Sequence, residues 1–502
     1  MTVSEPQPRR KSSFTPGRRP SSEPYSQCFQ NYYHAYQYLQ PTPSYLPNVR
    51  SSVNHWQLRD LVQIDPHLGT LYHTCDDAVR ELSPLSRRAR QARSADYARF
   101  PFFPRCFNHA EGGMIVAGSV LTSSSRAFSM AVPSLFGDRS ARRPQKGLFS
   151  VFTPEMPEPL TYKLGEMINN AVAVYRDSGG GYTSYVCNND TNLYTVDIGS
   201  SGVCANRKIT CEANVSLNNA RLSPDGKVVA VTGDASSLYL VDPAAPSAVR
   251  SVKTGRGSGF GISFHSNGVT MAASFEDGVC LLYDMRNMHV PLHEVRSTRP
   301  GHQAGAFRCC KFLDSFVQDL LVVSEHAGRV HLVDLRNLTS DSQQVLVFPF
   351  ALDQYGRCQA GTSRKGIRED VEADATPTGA THDDMVPEPS KDDHPVTHRR
   401  LDIYGENPFP VPLVYDYSYL ADTNPKLFKD FEYEPAGDDS PRVSRFVHDS
   451  YQQAVNHAHG EMELAGLDWF EDQLYIGCDD GGVLCWDINV RARRSFGGYS
   501  IA

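Results

Sequence analysis

The sequence predicts an all-β protein: a seven-bladed β-propeller with a disordered N-terminal tail and a long disordered insertion before the last blade. Three observations carry this reading. A hydrophobic run ending in Asp recurs, as "LYTVDIG" at Asp197, "LYLVDPA" at Asp242, "LLYDMRN" at Asp284, "HLVDLRN" at Asp334 and "LCWDINV" at Asp487. The first gaps are 45, 42 and 50 residues, and a period of ~40–45 residues is that of four-stranded propeller blades. Each unit also repeats one internal order, short β-branched runs split by Gly, Asp and Asn turns. One four-stranded sheet cannot bury both faces, whereas a ring of them buries each against its neighbours.

The units follow in order. "LVQIDPHLGTLYHTCDDAVREL" fits a first. "RCFNHAEGGMIVAGSV" with "KGLFSVF" fits a second, split by a polar insert near 121–146. "NAVAVYRDSGGGYTSYVCNNDTNLYTVD" fits a third. The fourth is "NNARLSPDGKVVAVTGDASSLYLVDP", Asn218 to Pro243, in which three strands are separated by an Asp-Gly turn and a tight polar turn. "FGISFHSNG", "VTMAASF" and "VCLLYD" make the fifth. "FRCCKFL", "DLLVVSE" and "RVHLVD" make the sixth. "LAGLDWFED", "QLYIGC" and "VLCWDI" make the seventh. Small residues on the inner strands, such as Ala220, Gly261 and Gly466, suit a crowded centre.

The domain reading follows. Residues 1–50 form a disordered basic and then Tyr-rich N-terminal arm, and 51–351 hold blades 1–6. Residues 352–459 form a largely disordered insertion: 352–400 is charged and poor in large apolar side chains, whereas "NPFPVPLVYDYSYL" within 401–459 is aromatic enough to pack. Residues 460–502 supply the last blade and ring closure. Within the arm, "FQNYYHAYQYL" sets Phe29, Tyr32, Tyr33 and Tyr36 on one face of a short helix. That face could pack on the propeller's own side or dock a partner; both readings stay open.

The chain has 502 residues, 40% hydrophobic, with a formal charge of −8. That balance argues against a coat of clustered cations for nucleic acid. No apolar run reaches the ~20 residues needed to span a bilayer, and no signal-peptide core is visible. A soluble monomer, cytoplasmic and/or nuclear, is the expectation. The twelve Cys are scattered without a Cys-x-x-Cys, as for reduced, buried thiols. Adjacent Cys309 and Cys310 should point to opposite faces of a strand.

Candidate chemistry is sparse. "TGRGSGFG", Thr254 to Gly261, leads into a strand and not a helix, so it reads as a connecting loop and not a phosphate loop. The pairs Asp383-Asp384, Asp392-Asp393 and Asp438-Asp439 sit in polar sequence. Asp479-Asp480 falls at a blade turn, where a carboxylate accepts backbone hydrogen bonds. His457 and His459 with Glu461 lack a strong partner pair for a metal. No nucleophile elbow occurs. No catalytic, cofactor or metal residue is assigned, and no enzyme is expected.

Taken together, these units resemble the WD40-repeat family over roughly 56–350 and 460–495, with Trp486 alone supplying the Trp of a Trp-Asp pair. "SEHAGRVHLVDLRN", with the C-terminal "GLDWFEDQLYIGCDDGGVLCWDINVRARRSF", also resembles a group of uncharacterised fungal WD-like proteins. The WD40 resemblance implies a structural hydrogen-bond network drawn from His302 and Ser324 in one blade, Ser274, Asp277 and Tyr283 in another, and Asp480 with Trp486 in the last. "MAASFEDGVCLLYDMR" further resembles the WDxR-type box of substrate receptors for cullin-4 ubiquitin ligases. That resemblance implies adaptor docking through Arg286 and Arg336, with Asp284 and Asp334 beside them. The alternative is that each Arg pairs with its own Asp.

The expected function is a non-catalytic interaction scaffold that binds peptide or protein partners through its face and rim loops. Two alternatives are a cullin-4-type substrate receptor and a propeller-fold hydrolase with a central-channel site. The hydrolase requires His and carboxylate side chains converging in the channel.

Overall fold

Seven antiparallel sheets follow one another along the chain in the computed structural model. It describes residues 30–32, 38–39, 44–46, 49–85, 93–136, 144–297, 303–313, 319–336, 338, 343–347, 394–395, 399–400, 463–479 and 482–490. Blade 1 comprises Val62–Asp65, Thr70–Cys75, Ala78–Ser83 and Arg93–Arg99. Blade 2 comprises Cys106–Ala110, Met114–Val120, Gly147–Phe152 and Leu160–Lys163. Blade 3 comprises Asn169–Arg176, Tyr182–Asn188, Asn192–Gly199 and Gly202–Thr210. Blade 4 comprises Leu217–Leu222, Val229–Gly233, Ser237–Val241 and Val249–Lys253. Blade 5 comprises Gly259–Phe264, Thr270–Phe275, Val279–Asp284 and His293–Arg296. Blade 6 comprises Phe307–Leu313, Leu320–Glu325, Arg329–Asp334 and Gln343–Val347. Blade 7 takes Leu464–Phe470, Gln473–Cys478 and Val483–Asp487 from the C-terminal part of the chain.

The fourth strand of blade 7 is Ser44–Leu46, which pairs with Val483 to Cys485. Residues that the sequence places in the N-terminal arm therefore complete the last sheet. The expected helix over "FQNYYHAYQYL" is corrected in the same region. Gln30–Tyr32 is a strand, paired with Val345 to Val347 on the outer edge of blade 6. The apolar spacing that suggested a helix was outweighed by an open sheet edge offering backbone partners. Phe29, Tyr33 and Tyr36 lie outside the described residues. Of the 352–459 insertion, His394–Pro395 adds to blade 1 and Arg399–Arg400 to the Ser44–Leu46 strand of blade 7; the rest lies outside the described residues.

Burial explains the sequence pattern. Middle strands lie between blades, so both faces are covered and they read as continuous apolar runs, as in Val229–Gly233. The outer strand Val249–Lys253 is largely exposed and carries Arg250, Ser251 and Lys253. Each of the seven inter-blade contacts has its own apolar cluster among the described residues. Cys309 sits in the cluster between blades 6 and 7, and Cys310 in that between blades 5 and 6, as alternation along a strand requires. Thr254 to Ser258 form a loop between blades 4 and 5, as expected for "TGRGSGFG".

A β-bulge recurs near the start of the first strand in blades 3 to 7, at Asn170, Asn218, Phe260, Arg308 and Ala465. A bulge adds one residue and re-aims its side chain. The Asn170 amide donates to Leu217 O of the next blade at 2.9 Å, and the Asn218 amide to Gly259 O at 3.2 Å. Successive blades are thus tied by side-chain amides at this level of the ring.

Blade 1 carries a buried titratable group. Burial pushes the His73 imidazole down to about 4 from an ordinary 6.5. Between these values the unfolded chain binds the proton more readily than the folded one. The stability that neutral His73 contributes is therefore present above pH 6.5 and lost as pH falls toward 4, about 3 kcal/mol in all. Denaturant midpoints at pH 7.5 and pH 4.5 should differ less for His73→Phe than for the wild type; equal differences would remove His73 from the acid response.

Candidate binding site in the central channel

The repeated Asp residues are local turn-formers. Asp242, Asp284 and Asp334 each accept the backbone N–H two residues on, at 2.8, 2.9 and 3.0 Å. This is the Asx turn that lets a strand end sharply. In two blades the residue at that position is Arg, and its guanidinium folds back. Arg286 Nε and Nη2 donate to the Asp284 carboxylate at 2.9 and 2.6 Å, and Arg336 Nε and Nη2 donate to Asp334 at 3.2 Å each. Arg286 hydrogen bonds hold the Asp284 carboxyl down to about 2. The Arg286 side chain is 74% exposed and that of Arg336 44%.

Five of the seven residues of the expected structural network lie among the described residues. In blade 5, Ser274 Oγ accepts from Gly261 N at 3.0 Å, Tyr283 is buried, and Asp277 lies 3.8 Å from Arg256. In blade 6, Ser324 is buried, and Oγ has no hydrogen-bond partner among the described residues. Trp486 is buried between blades 6 and 7. His302 and Asp480 lie outside the described residues, as do His457, His459 and Glu461. Asp479 accepts Val53 N at 3.2 Å and pairs with Arg59 at 3.3 Å.

Sequence reasoning missed a buried polar network in blade 6. Glu325 accepts from Ser297 Oγ at 2.7 Å and from His331 Nε2 at 2.8 Å. With Nε2 donating, Nδ1 of His331 accepts the Gln343 amide at 2.5 Å. Glu325 and His331 are fully buried. The visible signal was charge inside a unit whose strands are covered on both faces: "SEHAGRVHLVD" carries four charged or imidazole groups before its closing Asp.

A separate polar group lies in the channel, drawn from residues on or just before first strands on opposite sides of the ring. Asp60, just before blade 1, pairs with Arg221 of blade 4 at 2.7 Å and with Lys311 of blade 6 at 3.1 Å. Lys311 reaches Asp468 of blade 7 at 3.0 Å. Burial raises the Asp60 carboxyl, but Lys311 and Arg221 together hold it below the usual range. Burial opposes the Lys311 charge, and Asp468 with Asp60 outweighs that, leaving the ammonium pKa raised. Asp468 also accepts Ile64 N at 2.9 Å, and Trp469 Nε1 donates to Phe312 O at 3.0 Å. The channel is therefore polar, with both carboxylates committed to cations. No group of three His, Cys, Asp or Glu suited to a metal occurs among the described residues.

Asp60, Arg221, Lys311 and Trp469 border a cavity of about 750 Å³ on the face carrying the turns between first and second strands. Tyr175, Arg176, Asp225, Phe264 and Trp469 line its mouth, and Arg308 and Asn219 its depth. The size suits a small ligand or a peptide segment.

Fold and site define a seven-bladed propeller that fits the WD-like class. An uncharacterised protein domain family, DUF2415, matches residues 305–347, which is blade 6 with its lead-in. An uncharacterized protein of Saccharomyces cerevisiae, YLR149C, is 27% identical over 403 residues, 61% of this chain. The chain spans about half the length of that relative, 54%. Among the described residues, no helix is long and apolar enough to cross a membrane.

Proposed function

We propose that this protein is a non-catalytic interaction platform whose partners, peptides or proteins, engage the mouth of the central channel. The observation that carries this is the 750 Å³ cavity, where Tyr175, Phe264 and Trp469 stand among Arg176, Arg221, Lys311 and Asp225. Aromatic anchors with interspersed charge are the composition of recognition surfaces. What supports a binding role over hydrolysis is the state of the channel carboxylates. Asp60 and Asp468 are each held by cations, whereas acid–base work needs a carboxylate available to move a proton.

A second reading is adaptor docking of the cullin-4 ligase type at Arg286 and Arg336. It is favoured by one observation: the two turns make the same Asp–Arg hydrogen bonds on adjacent blades and keep both guanidinium groups accessible. One affinity-purification and mass-spectrometry experiment tests both. Arg176→Glu with Asp225→Lys should strip most partners from the purified protein, while Arg286→Ala with Arg336→Ala should leave them. An unchanged partner set in the first variant would move the binding face elsewhere. Loss of a ligase adaptor only in the second would establish the docking role.

A further inference from the structure

Arg308 occupies the bulge position of blade 6, where blades 3 and 4 carry Asn170 and Asn218. Those amides donate to the neighbouring blade. Arg308 does not: it is 2% exposed, and Nε, Nη1 and Nη2 all lack a hydrogen-bond partner among the described residues. Its guanidinium carbon lies 4.3 Å from the centre of the Phe260 ring and 5.5 Å from that of Trp56. The rings hold the plane of the group by cation–π contact and leave its edge N–H donors unmatched.

The surrounding charges are spent elsewhere. Arg59, a second cation nearby, is committed to Glu463 at 2.6 Å and Asp479 at 3.3 Å. The carboxylates whose charge reaches Arg308 are engaged as well: Glu276 accepts from Ser258 N and Oγ at 3.0 and 2.9 Å, Asp234 accepts from the Asn218 amide at 2.7 Å, and Glu463 is held by Arg59. Asp60, which borders the same chamber, is committed to Arg221 and Lys311. Burial, followed by the Arg59 charge, lowers the Arg308 pKa to about 9, so the group stays charged at neutral pH. A buried, unpaired charge is among the costliest features a fold can keep. Two acceptors also go unused beside it: Asn170 Oδ1 and Asn219 Oδ1 have no donor among the described residues. Arg308, Asn170 and Asn219 line one chamber of about 40 Å³. That is room for roughly three water-sized groups, the scale of a carboxylate or phosphate head group. Arg308 and Asn219 also line the 750 Å³ cavity, which can hold the body of a ligand.

We propose that Arg308, with Asn170 and Asn219, forms a binding site for a small oxyanion that carries a hydroxyl donor, either a hydrogen phosphate group or a hydroxycarboxylate. The oxyanion accepts from the Arg308 edge, and its hydroxyl donates to an Asn oxygen. The inference does not rest on the partner-binding reading above, although Arg308 and Asn219 border the same cavity.

Calorimetric titration and thermal melting of the full chain with inorganic phosphate, malate and chloride at matched ionic strength test this. Phosphate or malate should bind saturably and raise the melting temperature, and chloride should not; which of the two acts identifies the source. Arg308→Met should weaken binding at least about tenfold, the loss expected for a charged hydrogen bond. Without ions it should melt at or above the wild type, because a buried unpaired charge has gone. Asn219→Asp, which places negative charge in the chamber, should weaken binding similarly. No response to either anion, a response equalled by chloride, or wild-type binding by either variant would overturn the assignment.

Discussion

Glu325→Ala is expected to lower the stability of the protein by about 3 kcal/mol, the loss typical of removing one partner from a buried ionic hydrogen-bond network. The carboxylate is fully buried and accepts from Ser297 and His331. Alanine would take the acceptor from His331 Nε2 in the seam of blade 6, where an unsatisfied buried group costs about 1–3 kcal/mol. The loss should be smaller for Glu325→Gln, whose side-chain oxygen can still accept one hydrogen bond. His331→Phe on the wild-type background and on Glu325→Ala closes a double-mutant cycle. The two changes should be strongly non-additive, because they remove opposite ends of one bond. Urea unfolding midpoints read the cycle. Additivity, or a Glu325→Ala midpoint at the wild-type value, would mean that the network contributes nothing net.

This network shows how far the sequence could be read. Third strands ending in Asp were legible because an Asx turn is a local device: one side chain, one amide two residues on, repeated at Asp242, Asp284 and Asp334. The blade count was legible because each blade buries its middle strands on both sides. The expected His–Ser–Asp–Trp network was less legible. Ser324 has no partner in the described residues, and blade 6 instead joins Glu325, His331, Gln343 and Ser297. The channel cluster was not legible at all. Asp60, Arg221, Lys311 and Asp468 come from four blades, and only ring closure brings them together. No local pattern encodes a contact between residues 60 and 221. The bulge position is intermediate. Asn, Asn, Phe, Arg and Ala at equivalent points share no composition, yet the register shift that unites them is a backbone property. The closing strand at Ser44–Leu46 was not legible for a related reason. Three residues of a closing strand carry too short a pattern to distinguish from an arm, and their place is set by the unpaired edge of blade 7.

Gly466→Ala is expected to cost about 3 kcal/mol, through the seam where the ring closes. Gly466 has φ +153, and a Cβ there would meet Leu61 N at 2.8 Å, Val62 N at 2.9 Å and Arg59 O at 3.0 Å. These are backbone atoms of the segment entering blade 1, so no side chain can swing away to make room. The same segment holds the seam together: Leu61 N donates to Ala465 O at 3.0 Å, Ile64 N donates to Asp468 at 2.9 Å, and Arg59 pairs with Glu463 and Asp479. Relieving the clash means parting blades 7 and 1, which stretches these bonds at once; overpacking of this kind costs about 1–3 kcal/mol before any hydrogen bond is lost. Gly268→Ala is the control. Gly268 has φ +68 with nothing within 4 Å of the added carbon, so it isolates the backbone-strain part, about 1 kcal/mol. The comparison separates conformational strain from closure of the ring. If the two variants unfold at the same denaturant concentration, the approach of Gly466 to blade 1 carries no special weight. If Gly466→Ala is destabilised more than Gly268→Ala and is alone cleaved faster by protease near residues 49–61, the seam is a weak joint of the ring. Damage there would also reach Arg59 and Asp60, and through them the polar channel.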